Sequence, residues 1–152
     1  MNVAKAIFDP SRHSVYNPKF PNKYSGEYPI IAKSKWETAF MRWCDFNPSV
    51  LKWSSETLVI QYYNPLKKKW CRYFPDFVME VQEKTGNVKV KIVEIKPFKE
   101  VYPRPKSGKS IKSVMYENHM YIQNLAKWNA AQDFCKKRGY DFVIITEKEL
   151  FS

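Results

Sequence analysis

The chain has 152 residues, 44% of them hydrophobic and 16% aromatic, which suffices for one packed domain. Its formal net charge of +11 favours a polyanionic partner. No apolar run approaches the ~20 residues of a membrane span and neither end carries a basic amphipathic helix, so nucleic acid is the expected partner and a membrane is not.

The opening "MNVAKAIFDPSRHS" has no signal-peptide core, and a soluble intracellular protein is the default expectation. Residues 1–33 are rich in proline and aromatics and have little periodicity. "YNPKFPNKYSGEYP" reads as an extended arm laid on the core, because each proline fixes φ and removes a donor. "SKWETAFMRWCDFNPS" predicts the first helix: Ser34 is a good N-cap, Glu37 completes a capping box, and Trp36, Phe40 and Trp43 share a face. Asn47-Pro48 ends it. "TLVIQYY", from Thr57 to Tyr63, reads as a strand, and "WCRYFPDFVMEV" as its returning partner, with Pro75 marking an edge position or a local irregularity.

After a turn at Thr85-Gly86, "VKVKIVEIKP" alternates. Val88, Val90 and Ile92 share a face with Glu94 and Lys96, while Val93 and Ile95 point the other way. "KPFKEVYPRPKSGKSIKS" is a polar loop with six basic residues and one acid, either simply solvated or in contact with phosphates. The longest helix follows, with Val114, Tyr121, Leu125, Trp128 and Cys135 on one face, Lys136, Lys137 and Arg138 at its C-terminal dipole, and Gly139 as the left-handed cap. "YDFVIIT" reads as a strand buried on both faces, and Thr146 with Glu149 as a short capped helix. The order is α-β-β-β-α-β with a short helix last, an α/β fold with a mixed sheet flanked by helices. Cys44, Cys71 and Cys135 form no C-x-x-C pair and read as free thiols; His13 and His119 lack ligand-like spacing.

Asp76 and Glu94 fall on strands joined by one hairpin. Paired carboxylates repel unless a cation or a proton neutralises them, and hard oxygen ligands suit Mg²⁺ or Mn²⁺. Lys96 points to the same side as Glu94, where an ammonium can serve a phosphate oxygen or an attacking water. A divalent ion beside a cationic group suits phosphodiester hydrolysis. Hairpin charges on an exposed face remain the simpler alternative, since E-x-K alone is a weak signal.

"FPDF", with its Asp 18 positions before the Glu of "VEIKP", resembles the PD-(D/E)xK nuclease motif, and "SKWETAF" supplies the upstream helical glutamate of that superfamily. The plan is similar to that of the transposon-encoded TnsA endonucleases. The opening "MNVAKAIFDPSRHSVYNPKFPNKY", the central "PDF…EIKP" and the closing "FVIITEKEL" resemble the head completion nucleases of T-even-type bacteriophages over nearly the full length. The resemblance implies a restriction-endonuclease-like core over 34–152, preceded by the arm at 1–33. It implies a Mg²⁺-dependent endodeoxyribonuclease, with Mn²⁺ as substitute, acting on packaged double-stranded DNA or its end before neck and tail attachment. Glu37, Asp76, Glu94 and the Ile95 carbonyl would hold the metal, and Lys96 would assist the water. Lys99, Arg104, Lys106, Lys109 and Lys112 are the expected DNA contacts. Portal, capsid or neck proteins are implied partners, and the host cytoplasm during assembly is the implied location, with retention in the virion left open.

Two other readings stand beside this one. The chain can be a non-enzymatic DNA-binding capsid or neck protein on a nuclease scaffold, or a transposition or repair endonuclease. The intact Asp76, Glu94 and Lys96 favour an enzyme. Glu56 in "WSSETL" reads as an exposed strand charge rather than a further site acid, and Tyr121 and Gln123 read as packing or surface residues.

Overall fold

The computed structural model describes residues 9–104 and 108–151. Lys106, expected to contact phosphate, lies outside the described residues, as does the arm's opening stretch, 1–8. Within the arm, β1 (Ser14–Tyr16) pairs antiparallel with β2 (Ile30–Ala32), with a 3-10 turn at Pro21–Lys23 between them. Helix α1 (Lys35–Phe46) follows, then β3 (Val50–Ser55), β4 (Ile60–Asn64), β5 (Lys69–Tyr73), β6 (Phe77–Gln82) and β7 (Val88–Ile95). A short helix α2 (Phe98–Val101), the long α3 (Ile111–Arg138), β8 (Asp141–Ile145) and the short α4 (Glu147–Leu150) complete the chain.

The central sheet has the order β3-β6-β7-β8. Its β3–β6 and β6–β7 pairs are antiparallel and its β7–β8 pair is parallel. A mixed sheet flanked by helices is the expected fold class, and the core order α1-β3-β6-β7-α3-β8 matches the expected α-β-β-β-α-β. The strands filling that order differ from expectation. Val50–Ser55, not read as a strand, is the sheet's first member. Its register shifts between Val50 and Lys52, which breaks the period-2 signal. The run expected to be one strand is cut at Pro75 into β5 and β6. Strands β4 and β5 form a separate hairpin beside the sheet.

One face of the sheet packs on α1 and the arm. Trp53, Phe77, Met79 and Val93 meet Phe40, Met41 and Cys44 of the helix and Tyr24, Ile30 and Ala32 of the arm. Truncating a fully buried aromatic such as Phe77 costs on the order of 3–5 kcal/mol. The buried stripe of α1 is Phe40, Met41, Cys44 and Asp45, so Trp43, expected to face the core, is exposed. On the other face, α3 packs against the β4–β5 hairpin and β8 through Trp128 and Ala131, with Ile60, Tyr62 and Tyr73 opposite. Here too the expected stripe is only half right. Trp128 and Cys135 are buried along with Asn124 and Ala131, but Val114 and Leu125 face solvent: residues 111–119 are exposed throughout, and Leu125 lies beside the buried stripe rather than on it. Strand β8 is half-buried throughout, as suits an edge position.

Local signals placed the helix ends as expected. Ser34 Oγ accepts from Glu37 N, and Gly139 caps α3 at φ +70°, a conformation open to glycine. Thr146 and Glu149 form a full capping box on α4. Glu147 of α4 also accepts from Phe98 N at 2.7 Å, and Lys96 N donates to Ile145 O at 3.0 Å, so the chain leaving β7 is pinned on both sides of Pro97.

Candidate active site

The sheet register brings the acids together. Strand β6 pairs with β7 up to Phe77 and Val93, so one step further Asp76 stands opposite Glu94. Strand β3 pairs with β6 up to Ser55 and Phe77, so the same step sets Glu56 opposite Asp76, and Glu56 N does donate to Asp76 O at 3.1 Å. Three carboxyl residues thus occupy one row across three adjacent strands, at the end of the sheet where Pro75 stops β5 and β6 begins. Glu37 arrives from the first turn of α1.

Each acid is held by the protein. Ile95 N–H donates to Asp76 Oδ2 at 2.8 Å. The buried Tyr73 hydroxyl donates to Glu94 Oε1 at 2.9 Å, and Lys96 Nζ stands 3.6 Å from Glu94 Oε2. Glu37 accepts from Lys33 N–H at 3.1 Å. The expected capping box therefore has only its serine half, since the glutamate reaches Lys33 N–H instead of the cap amide. Lys33 Nζ is bonded to the Glu56 carboxylate.

The arrangement is electrostatically unfavourable as it stands. Burial lifts the Asp76 pKa well above the ordinary carboxyl range, and the charges of Glu94 and Glu37 lift it further against the Ile95 N–H bond and Lys96. Burial likewise raises Glu37, with Glu56 and Glu94 adding to it against Lys33. Burial works against the Lys33 ammonium, but Glu56, Glu37 and Asp76 outweigh it and its pKa rises. Burial and then the Glu94 charge push the Tyr73 hydroxyl far up, so it stays a donor. Buried carboxylates that oppose one another's ionisation lack a cation.

Among the described residues, no three His, Cys, Asp or Glu side chains close on one point as a ready cation cage. The bonds explain it: Asp76, Glu94 and Glu37 each spend an oxygen on Ile95, Tyr73 or Lys33. The donor chemistry nonetheless fits a hard divalent ion, with oxygen donors only, a surplus of negative charge and an ammonium alongside.

The structure therefore sets Glu37, Asp76, Glu94 and Lys96 around one end of the sheet. Ile95 joins them through its N–H. The expected DNA contacts that the structure describes gather at a cleft that none of these residues lines. Lys99, Arg104, Lys109 and Lys112 line a cleft of about 570 Å³ between the segment after β7 and the first half of α3, together with Tyr116 and Tyr121. Lys109 is ion-paired there with Glu117. Gln123 donates to Tyr62 at 3.4 Å, a packing contact.

Sequence reasoning missed three neighbours of the acids. Glu56 is not an exposed strand charge. It is half-buried and takes a left-handed φ of 53°, just past the last β3 pair. Lys33 and Tyr73 carried no motif. Their signal is three-dimensional, since Lys33 precedes the Ser34 cap and Tyr73 ends the hairpin beside Glu94.

Two comparisons bear on what this site does. Residues 47–147 match the family described as TnsA-like endonuclease N terminal. The chain is also similar to the head completion nuclease of Enterobacteria phage T4, at 38% identity over 138 residues, 88% of this chain and 89% of that protein.

Proposed function

As the chain belongs to the TnsA-like endonuclease family, we propose that it is a Mg²⁺-dependent DNA endonuclease, with Mn²⁺ able to substitute, and that it acts in phage head completion. The observation that carries the metal dependence is the mutual repulsion of Asp76, Glu94 and Glu37, brought from a loop, a strand and a helix to one end of the sheet. Asp76, Glu94, Glu37 and the Ile95 carbonyl would hold the ion. When bound, such an ion polarises a phosphoryl oxygen and makes a hydroxide available near neutral pH.

The protein's own groups do the rest. Tyr73 fixes one Glu94 oxygen through its hydroxyl, so the other can turn to a ligand. Lys96, beside that second oxygen, is placed to donate to a phosphate oxygen or to orient a water for in-line attack. The pinned exit from β7, through Ile145 O and Glu147, keeps Lys96 from swinging away. Lys99, Arg104, Lys109 and Lys112 give the duplex a positive wall that positions the backbone without reading bases.

The head-completion role rests on the phage T4 relative. Its setting would be packaged DNA or its end in the host cytoplasm, with portal, capsid or neck proteins as partners. Among the described residues no helix is long and apolar enough to cross a membrane.

A supercoiled-plasmid nicking assay with Mg²⁺, Mn²⁺ and EDTA tests the reading, alongside Asp76→Ala, Glu94→Ala and Lys96→Ala. The expected result is cutting with either ion, none in EDTA, and none by the variants, whose DNA affinity stays close to wild type because the basic wall supplies it. Cutting in EDTA, or variants that cut at the wild-type rate, would overturn the catalytic assignment.

A further inference from the structure

The first half of α3 carries an apolar stripe that nothing among the described residues covers. Ile111, Val114, Met115, Ile122 and Leu125 are exposed, from 37% at Leu125 to 81% at Ile111. At 100° per residue these five lie within about 100° of arc, centred about 120° round the helix from the face that buries Asn124, Trp128 and Ala131. Their spacing is a heptad. Ile111, Asn118 and Leu125 fall at a positions, Val114 and Tyr121 at d, and Met115 and Ile122 at e. No charged residue stands at any of these seven places, in a chain with a net charge of +11.

We propose that this stripe is a self-association surface, on which α3 of a second copy lies antiparallel about a two-fold axis at Asn118. The occupant follows from the pattern, which is symmetric about that residue. Ile111 and Leu125 stand seven residues to either side, and Val114 and Ile122 four. Laid antiparallel, Ile111 of one copy meets Leu125 of the other, Val114 meets Ile122, and Met115 meets Tyr121. Each contact is made twice, as an isologous interface requires. Asn118 meets its own copy at the axis, where one side-chain amide bonding another fixes the register. Nucleic acid is a poor occupant, since the stripe offers it no cation. An uncharged surface is also where two strongly basic chains can touch with least repulsion.

The size of the stripe sets the strength. It spans about 21 Å of helix and exposes on the order of 400 Å² of apolar side chain. That is about half of the ~800 Å² per partner in a standard stable interface. The dimer is therefore weak and concentration-dependent. The proposal does not depend on nuclease chemistry, and it can be tested without DNA or metal.

Sedimentation velocity of the full chain over two decades of concentration, in moderate salt, should show a monomer passing to a dimer. Ile111→Lys with Ile122→Lys should raise the dissociation constant by roughly a hundredfold while leaving the melting temperature near wild type, since both side chains are exposed. Cross-linking gives the geometry. Asn118→Cys should form a disulfide-linked dimer under mild oxidation. Ile111→Cys alone should not, whereas Ile111→Cys with Leu125→Cys should. Wild type, whose Cys44 and Cys135 are buried and whose Cys71 is half-buried, is the background control. A monomer at every concentration, or a dimer that survives both lysines, would overturn the proposal. Ready cross-linking of Ile111→Cys alone would overturn the antiparallel arrangement.

Discussion

Replacing Asp76 by Asn isolates the cost of the acidic cluster, because the two side chains have the same shape and Asn can still accept from Ile95 N–H. The folded protein raises the Asp76 pKa from its ordinary 3.8, through burial first and the Glu94 and Glu37 charges second. A raised carboxyl contributes its stability fully below its unfolded pKa and loses it as pH climbs through its folded pKa. Each unit of the rise costs about 1.4 kcal/mol once Asp76 is ionised. The Ile95 bond is already inside that balance, because it opposes the rise. For a domain of this size, 1 kcal/mol moves the melting temperature by roughly 2–4 °C. The assay is thermal melting of wild type and Asp76→Asn in EDTA from pH 9 down to pH 5. At the alkaline end the variant should melt higher by roughly 3–5 °C for each unit of the Asp76 rise. The gap should close as the pH falls and wild-type Asp76 takes up its proton. Glu37 is raised in the same direction, so the variant should keep a shallower pH slope of its own. With Mg²⁺ the order should reverse, since wild type binds the ion and the variant does so poorly. A gap that is constant between pH 5 and 9, or that widens towards acid, would refute the account of mutual repulsion.

Glu37→Gln keeps an acceptor for Lys33 N–H but removes a charge, so its stability in EDTA should hold or rise while nicking in Mg²⁺ falls by orders of magnitude. Ser34→Ala, which removes only the Glu37 N cap bond, should cost about 1 kcal/mol and leave nicking nearly intact. Tyr73→Phe should lower the nicking rate about tenfold without changing the affinity for DNA, because it frees Glu94 from a single hydrogen bond worth about 1–2 kcal/mol; an unchanged rate would remove Tyr73 from the site. Arg104→Ala with Lys112→Ala should flatten the slope of log affinity against log salt by nearly two units, about 0.9 for each phosphate left without its cation. Lys109→Ala should add less, because Lys109 is already paired with Glu117.

The readings that held came from short-range signals. Asn47-Pro48 closed α1, and the Thr146–Glu149 box and Gly139 marked helix ends through bonds made within a few residues. What failed depended on distant partners. Trp43 and Phe40 look alike on a helical wheel, yet only Phe40 has the sheet beside it. Val114 and Leu125 of α3 match the stripe drawn from sequence but miss the core: Val114 lies on a stretch that is exposed throughout, and Leu125 sits about 60° round the helix from Trp128. Strand β3 hid behind a register shift, and Glu56 behind a left-handed turn that carries its side chain to Lys33. Around the acids, the motif named Asp76, Glu94 and Lys96. Lys33 and Tyr73 emerged only once the strands were aligned.

The arm offers a lesson for anyone trimming this protein. Asp45, fully buried at the end of α1, accepts from Tyr16 Oη at 2.7 Å and from Lys19 N and Phe20 N at 2.7 and 3.0 Å. Lys23 Nζ in turn binds the carbonyls of Cys44, Asp45 and Asn47 at 2.7–2.9 Å, closing off the helix's last turn. The two ends of this clasp cross, one charge going from helix to arm and one from arm to helix. A chain shortened to begin at α1 would thus lose this clasp, would lay bare the Phe40, Met41 and Cys44 face that Tyr24, Ile30 and Ala32 of the arm cover, and would uncap the helix that carries Glu37. Affinity tags belong at the other terminus, and a truncated protein that no longer cuts says nothing about whether the arm touches DNA until its helix content has been measured.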